Sequence, residues 1–184
     1  SVLNHWWLRK TIMVFKRPTC AIVFNSGVLL KEENGQVIDS YDWQIRFNML
    51  KLTGFEKYTG KKTTHQVVHF HVPKGGKSPG QLFVEMKNPN IIGLTFPVQK
   101  KEVDGYNKYS KIKKNWILAP KRFMKQCYDK VGLKSGWCSS GMSGVLWAME
   151  KCSSVTVFGA KHDPCYPYHY LDPMPTKCTV KSVN

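Results

Sequence analysis

Apolar residues fall in short runs separated by polar and turn-forming segments. Cys20 to Phe24 is continuous, with Ile22 and Val23 β-branched, and predicts a strand buried on both faces. Trp43-Gln44-Ile45-Arg46-Phe47 alternates apolar with polar and predicts a second strand. Gln66 to Val72, Leu82 to Met86, Asn90 to Phe96 and Val155 to Phe158 supply four further candidates. Helical spacing is clear in two places. Phe123, Cys127 and Val131 recur every fourth residue behind Pro120, a residue suited to a helix start. Met142 to Cys152 follows the small polar stretch Ser139-Ser140-Gly141 and predicts the other helix. Strands interleaved with helices give an α/β layer fold with a mostly parallel sheet. Lys74 to Gly80, with its glycines and proline, reads as a loop.

The 184 residues fit a single domain spanning 1–184, 42% of them hydrophobic, enough to bury roughly 70% of the unfolded surface. No run of about 18 apolar residues occurs, which excludes a bilayer-spanning helix. The start, Ser1 to Trp7, has neither an initiator Met nor a signal-peptide pattern, so any targeting segment is expected outside this chain. The net charge is +16, and between Lys100 and Lys134 eleven Lys and Arg stand against Glu102, Asp104 and Asp129. Such a field concentrates anions, whether nucleic acid, membrane surface, phosphosugar or acidic glycan, and is equally compatible with a plain solvated face. The six cysteines (Cys20, Cys127, Cys138, Cys152, Cys165, Cys178) form no C-x-x-C pair, which argues against a zinc knuckle or a thioredoxin-type site. Their even number suits an oxidising compartment, and the sequence does not choose a pairing, although Cys165 with Cys178 would close the loop around His169.

Three short segments carry candidate chemistry. Asn25-Ser26-Gly27 follows the first strand directly, where open parallel sheets bind ligands, though by itself it is a turn signal. Ser139-Ser140-Gly141 opens a helix, whose free N–H groups and dipole attract phosphate, though a plain Ser cap has the same look. Tyr168-His169-Tyr170-Leu171-Asp172 places an imidazole among aromatics near a carboxylate, a proton carrier or a packed corner. His69 and His71 share a strand face, but no third ligand accompanies them, so no metal is expected.

Together these segments resemble one family, the animal-type sialyltransferases. Its large motif is matched by Cys20-Ala21-Ile22-Val23, Asn25-Ser26-Gly27, Ile38-Asp39-Ser40 with Asp42, Arg46-Phe47-Asn48, Gly54-Phe55-Glu56, and Gly60 with Lys62-Thr63-Thr64. Ser139 to Gly159 resembles the small motif, and His169-Tyr170-Leu171-Asp172 the third. The resemblance implies a single Rossmann-like domain, a GT-A-like variant with a mostly parallel sheet flanked by helices. It implies an inverting transferase that moves sialic acid, or a related acidic sugar, from a CMP donor to a glycan acceptor, without metal or other cofactor and without a nucleic-acid partner. Donor binding would fall to Asn25, Ser26, Asn48, Ser139, Ser140, Gly141 and Gly159. His169 would contact the phosphate and help CMP depart, and Cys20 would pair with Cys152. The family also implies a Golgi-lumenal domain of a type II membrane protein, its anchor outside this chain.

The chain departs from the pattern at several points. Phe24 stands where the family has glycine, Tyr41 where it has histidine, Thr59 before Gly60, and Leu171 where it has an aromatic residue. The family's His-x-x-x-x-Glu motif, source of the general base, is not found after His169, so the chain is expected to be C-terminally truncated and a poor enzyme by itself. Two other readings predict different behaviour: a non-catalytic remnant that binds CMP-sugar or glycan, and a basic nucleic-acid or heparin binder using aromatics such as Trp6 and Trp7.

Overall fold

The computed structural model describes residues 16–49, 51–71, 76–86, 88–97, 99–132 and 138–178. Trp6, Trp7, Val72, Lys74 and Lys134, which figure in the expectations above, lie outside these residues. Six strands form one sheet: β1 Thr19–Val23, β2 Trp43–Phe47, β3 His65–Val67, β4 Ile92–Thr95, β5 Trp116–Leu118 and β6 Ser154–Phe158. Their order is β5-β4-β3-β2-β1-β6, and every pairing is parallel. Strands β2 to β5 step away from β1 on one side and β6 returns on the other. The order therefore reverses at β1, and the carboxyl ends of the strands there form the natural ligand crevice of such sheets.

Burial on both faces explains the continuous apolar run of β1. Cys20 and Ile22 join Ile45, Phe47 and Val67 under the helices α5 Arg122–Val131 and α6 Ser140–Lys151. Ala21 and Val23 face the other way, onto Leu29 of a 3₁₀ turn, Ile38 of α1 Gly35–Asp39, and Tyr170. A third cluster, Phe70, Phe83 and Trp116, is closed by α3 Pro79–Glu85 and by Tyr106 and Tyr109 of α4 Lys100–Tyr109. A four-residue helix, α2 Glu56–Thr59, precedes β3. The cysteines pair as Cys20–Cys152, Cys127–Cys138 and Cys165–Cys178, the first across a separation of 132 residues.

Three sequence expectations are corrected. Leu82 to Met86 is not a strand but the body of α3, and Gly80 lies in that helix rather than in a loop. The cause is a capping box. The Ser78 hydroxyl accepts from Gln81 N–H (3.3 Å), the Gln81 side chain accepts from Ser78 N–H (2.8 Å), and Pro79 pre-sets the first turn. The strand expected over Gln66 to Val72 is shorter and begins earlier, at His65.

His65 is 1% exposed, between Trp43 and Trp147, with Nδ1 3.0 Å from the Thr64 hydroxyl. Burial pulls its pKa from 6.5 down to about 4. Below pH 6.5 the unfolded chain takes up a proton that the fold refuses. This contribution to stability is whole above about pH 7, falls with acidification, and stops falling near pH 4. Urea unfolding should show a loss of about 2–3 kcal/mol between pH 7.5 and pH 4.5 from this group. A His65→Phe variant should lack that part of the slope, and an unchanged slope would contradict the assignment.

Candidate active site

The reversal point at β1 is built by four loops. After β1, Phe24 N–H donates to Phe158 O (2.9 Å) and the Phe24 ring stacks on Phe47 at 4.8 Å. Asn25 then ties three segments together. Its Nδ2 donates to Phe47 O at the end of β2 (3.1 Å), and its carbonyl accepts from Tyr170 N–H (3.0 Å). The Ser26 hydroxyl donates to Lys161 O (2.8 Å) and caps the 3₁₀ turn by accepting from Val28 N–H (3.3 Å), so its proton is already engaged. Gly27 N–H donates to Pro167 O (3.0 Å), docking the loop that carries His169.

At the end of β2, Asn48 adopts a left-handed φ of 57°, tolerated best by asparagine among residues with a side chain. Its N–H is held by Val67 O and its carbonyl accepts from Gln66 Nε2. Its Oδ1 is buried without a partner among the described residues. Such an atom is destabilising unless a ligand donates to it.

On the opposite wall, Ser139 caps α6 by accepting from Met142 N–H (3.2 Å). The N–H groups of Ser140 and Gly141 lie in the first turn, where no intrahelical acceptor exists. Gly141 is required by packing: a Cβ there would sit 2.5 Å from Phe24 Cε1. This explains how phenylalanine is tolerated at position 24, since the missing side chain on α6 makes room for the ring. After β6, Gly159 turns the chain with φ 68°, a conformation that strains other residues.

The third segment closes the cleft. His169 and Asp172 form a small ring of contacts: Asp172 Oδ2 accepts from His169 N–H (2.9 Å) and lies 3.3 Å from His169 Nδ1. A proton on Nδ1 is thereby favoured, which leaves Nε2 as the free ring nitrogen. Tyr170, 3% exposed, anchors the segment through its hydroxyl to Lys51 O (3.1 Å) and its ring against Phe55. Burial pushes the Tyr170 hydroxyl up from 10.0. The exposed Leu171 is not part of this anchor.

Asn25, Ser26, Asn48, Ser139, Ser140, Gly141, Gly159 and His169 thus all line one cleft of about 320 Å³. Phe24 and Phe47 share the wall, as do Ala160 and Lys161, which sequence reasoning did not single out. Among the described residues no carboxylate lines the cleft, whereas Lys161 and the amino end of α6 do. The field favours an anion. His69 and His71 stand apart, beside a different cavity, His69 Nδ1 accepting from His71 N–H (3.2 Å). Among the described residues no group of three or more His, Cys, Asp or Glu is placed to hold a metal.

Against known families, residues 14–183 match the model of glycosyltransferase family 29 (sialyltransferase). The chain belongs to this sialyltransferase family. It is 29% identical over 174 residues to CMP-N-acetylneuraminate-beta-galactosamide-alpha-2,3-sialyltransferase 1 of Gallus gallus, covering 85% of this chain and 48% of that protein. It is 27% identical over 180 residues to beta-galactoside alpha-2,6-sialyltransferase 2 of Bos taurus, covering 82% and 36%. The chain therefore spans about half or less of the length of these relatives. Its fold is similar to the crystal structure of a mammalian sialyltransferase, with TM-score 0.67 and 22% identity over 90% of this chain and 62% of that one. A related crystal structure holding Gal-beta-1-3GalNAc-ortho-nitrophenol gives TM-score 0.68 over 86% and 61%.

Proposed function

We propose that the cleft binds CMP-sialic acid and that this domain transfers the sugar, with inversion, to a hydroxyl of a glycan on a glycoprotein or glycolipid. The observation that carries the reading is the convergence at one crevice of a helix start, whose first N–H groups have no intrahelical acceptor, and a buried Asn48 Oδ1 with no partner among the described residues. In this reading Ser140 and Gly141 N–H receive the phosphate, and Asn25 and Asn48 hold the nucleoside. Gly159 lets backbone approach it. The acceptor oxygen attacks the anomeric carbon as CMP leaves from the opposite face, and its proton passes to water, since the sequence holds no His-x-x-x-x-Glu base. Charge grows on the departing phosphate, where the α6 dipole stabilises it most, together with His169 acting as the imidazolium, which donates from Nε2–H while Asp172 holds the Nδ1 side. Donor binding on these residues needs no metal, and no nucleic acid is a partner. Membership of the family further suggests a Golgi-lumenal domain of a membrane-anchored protein.

Incubation with CMP-N-acetylneuraminate and a β-galactoside should release CMP slowly, only when acceptor is present, and give the α-linked product. His169→Ala should slow that release about 100-fold. Release that ignores the acceptor, or a variant as fast as the parent, would contradict the proposal.

A further inference from the structure

The sheet face opposite α5 and α6 carries a second, larger cavity of about 530 Å³, separated from the donor cleft by Phe24, Asn25 and Phe47. Strand alternation places Gln44 and Arg46 of β2 and Gln66 of β3 on this face, and Arg46 pairs in register with Gln66. All three are more than nine-tenths buried: Gln44 is 1%, Arg46 5% and Gln66 6% exposed. Polar groups in such positions normally have every hydrogen bond made.

Two of these are incomplete. Arg46 Nε donates to Lys62 O (3.0 Å) and the Thr63 hydroxyl (3.1 Å), and Nη2 to Thr59 O (2.7 Å). Each acceptor is neutral and Nη1 has no partner among the described residues; the nearest acid, Asp39, acts on the guanidinium only through space, its carboxylate accepting from the Lys61 and Lys62 N–H groups. Burial lowers its pKa to about 10, so it stays charged at neutral pH. A buried cation with no anion in contact carries a desolvation penalty that a carboxylate at longer range offsets only in part. Gln44 Nε2 donates to Ile38 O and Tyr41 O, and its Oε1 is buried with no partner among the described residues. The one acid on the wall, Asp42, is held by the Thr19 N–H and hydroxyl (2.8 and 2.9 Å), while Lys61 and Lys62 add positive charge.

Among the described residues the cavity therefore gives Arg46 no anion in direct contact and Gln44 Oε1 no donor. It also offers apolar surface from Met49 and Met86. Its volume is in the small-molecule range. We propose that this trough binds a carboxylate-bearing sugar, its acid group on Arg46 and a hydroxyl or amide on Gln44. The ligand is either a free acidic monosaccharide or the terminal acidic residue of an acceptor glycan. The inference does not depend on the CMP reading.

The test is calorimetric titration of N-acetylneuraminate, its uncharged methyl ester and 3′-sialyllactose, each with and without saturating CMP. The acid should bind at least about ten-fold more tightly than the ester, a 1.4 kcal/mol difference, and CMP should not displace it. Sialyllactose binding more tightly than the monosaccharide assigns the site to an acceptor terminus, and weaker binding assigns it to the free acid. Thr63→Asp supplies a carboxylate to Arg46 from a partly exposed position whose hydroxyl already accepts from Arg46 Nε. It should weaken the acid about ten-fold or more while leaving the melting temperature unchanged or raised. The proposal is overturned by any of four results: no saturable binding up to roughly 20 mM, equal binding of acid and ester, displacement of the acid by CMP or by inorganic phosphate, or undiminished binding by the folded Thr63→Asp variant.

Discussion

Replacing Cys20 and Cys152 together by alanine should destabilise the protein by about 5 kcal/mol in the chain-entropy model. The pair spans 132 residues, whereas Cys127–Cys138 and Cys165–Cys178 span 11 and 13, for which the same treatment gives only about 3 kcal/mol each. The location adds to the effect. Cys20 is wholly buried in the middle of the sheet, and Cys152 sits at the end of α6, so the bond fixes that helix to β1 from its far end. The opposite end of α6 supplies Ser140 and Gly141 to the cleft, so loosening the helix should also weaken CMP. Urea unfolding of the oxidised protein and the double variant measures the difference. A loss under about 1 kcal/mol would show that packing alone holds β1 to α6.

Gly141→Val should lower CMP affinity about 100-fold, or about 2.7 kcal/mol. In an ordinary helix position a glycine replaced by a residue with a side chain would be tolerated or gain stability. Here the new Cβ would meet Phe24 Cε1 at 2.5 Å, and the ring is backed by Phe47. With its back blocked, the ring turns into the cleft, where the nucleotide is proposed to lie. Phe24→Ala should recover most of the lost affinity in the Gly141→Val background, because the clash then disappears. A double variant as weak as the single would place the damage in α6 itself. The same titration of CMP, read by calorimetry, decides between these outcomes.

The central layers of the fold were readable because β1 must be apolar on both faces and β2 on one, and both patterns are plain in the chain. The edges were not. Trp116 to Leu118 is too short to show a period. The exposed surface of α4 is rich in lysine, and few apolar positions mark its inner face. Leu82 to Met86 looked like a strand because its apolar run outweighed Ser78-Pro79-Gly80-Gln81, although that capping box is itself a sequence signal. At the site, motif resemblance brought forward residues from four separate segments. Local pattern alone could not, since each segment reads as a turn or a cap. Lys161 belongs to no motif and is brought to the cleft by the turn at Gly159. Phe24, a departure from the family, makes sense only with Gly141 beside it, a contact between positions 117 residues apart.

The most direct test is CMP titrated into the unmodified chain, with backbone amide shifts followed by NMR beside the calorimetry. Saturable binding should move the amides of Asn25, Asn48, Ser140, Gly141 and Gly159 together while leaving those of Lys111 and Lys114 in place. Absence of binding, or shifts confined to the lysine-rich surface, would contradict the account.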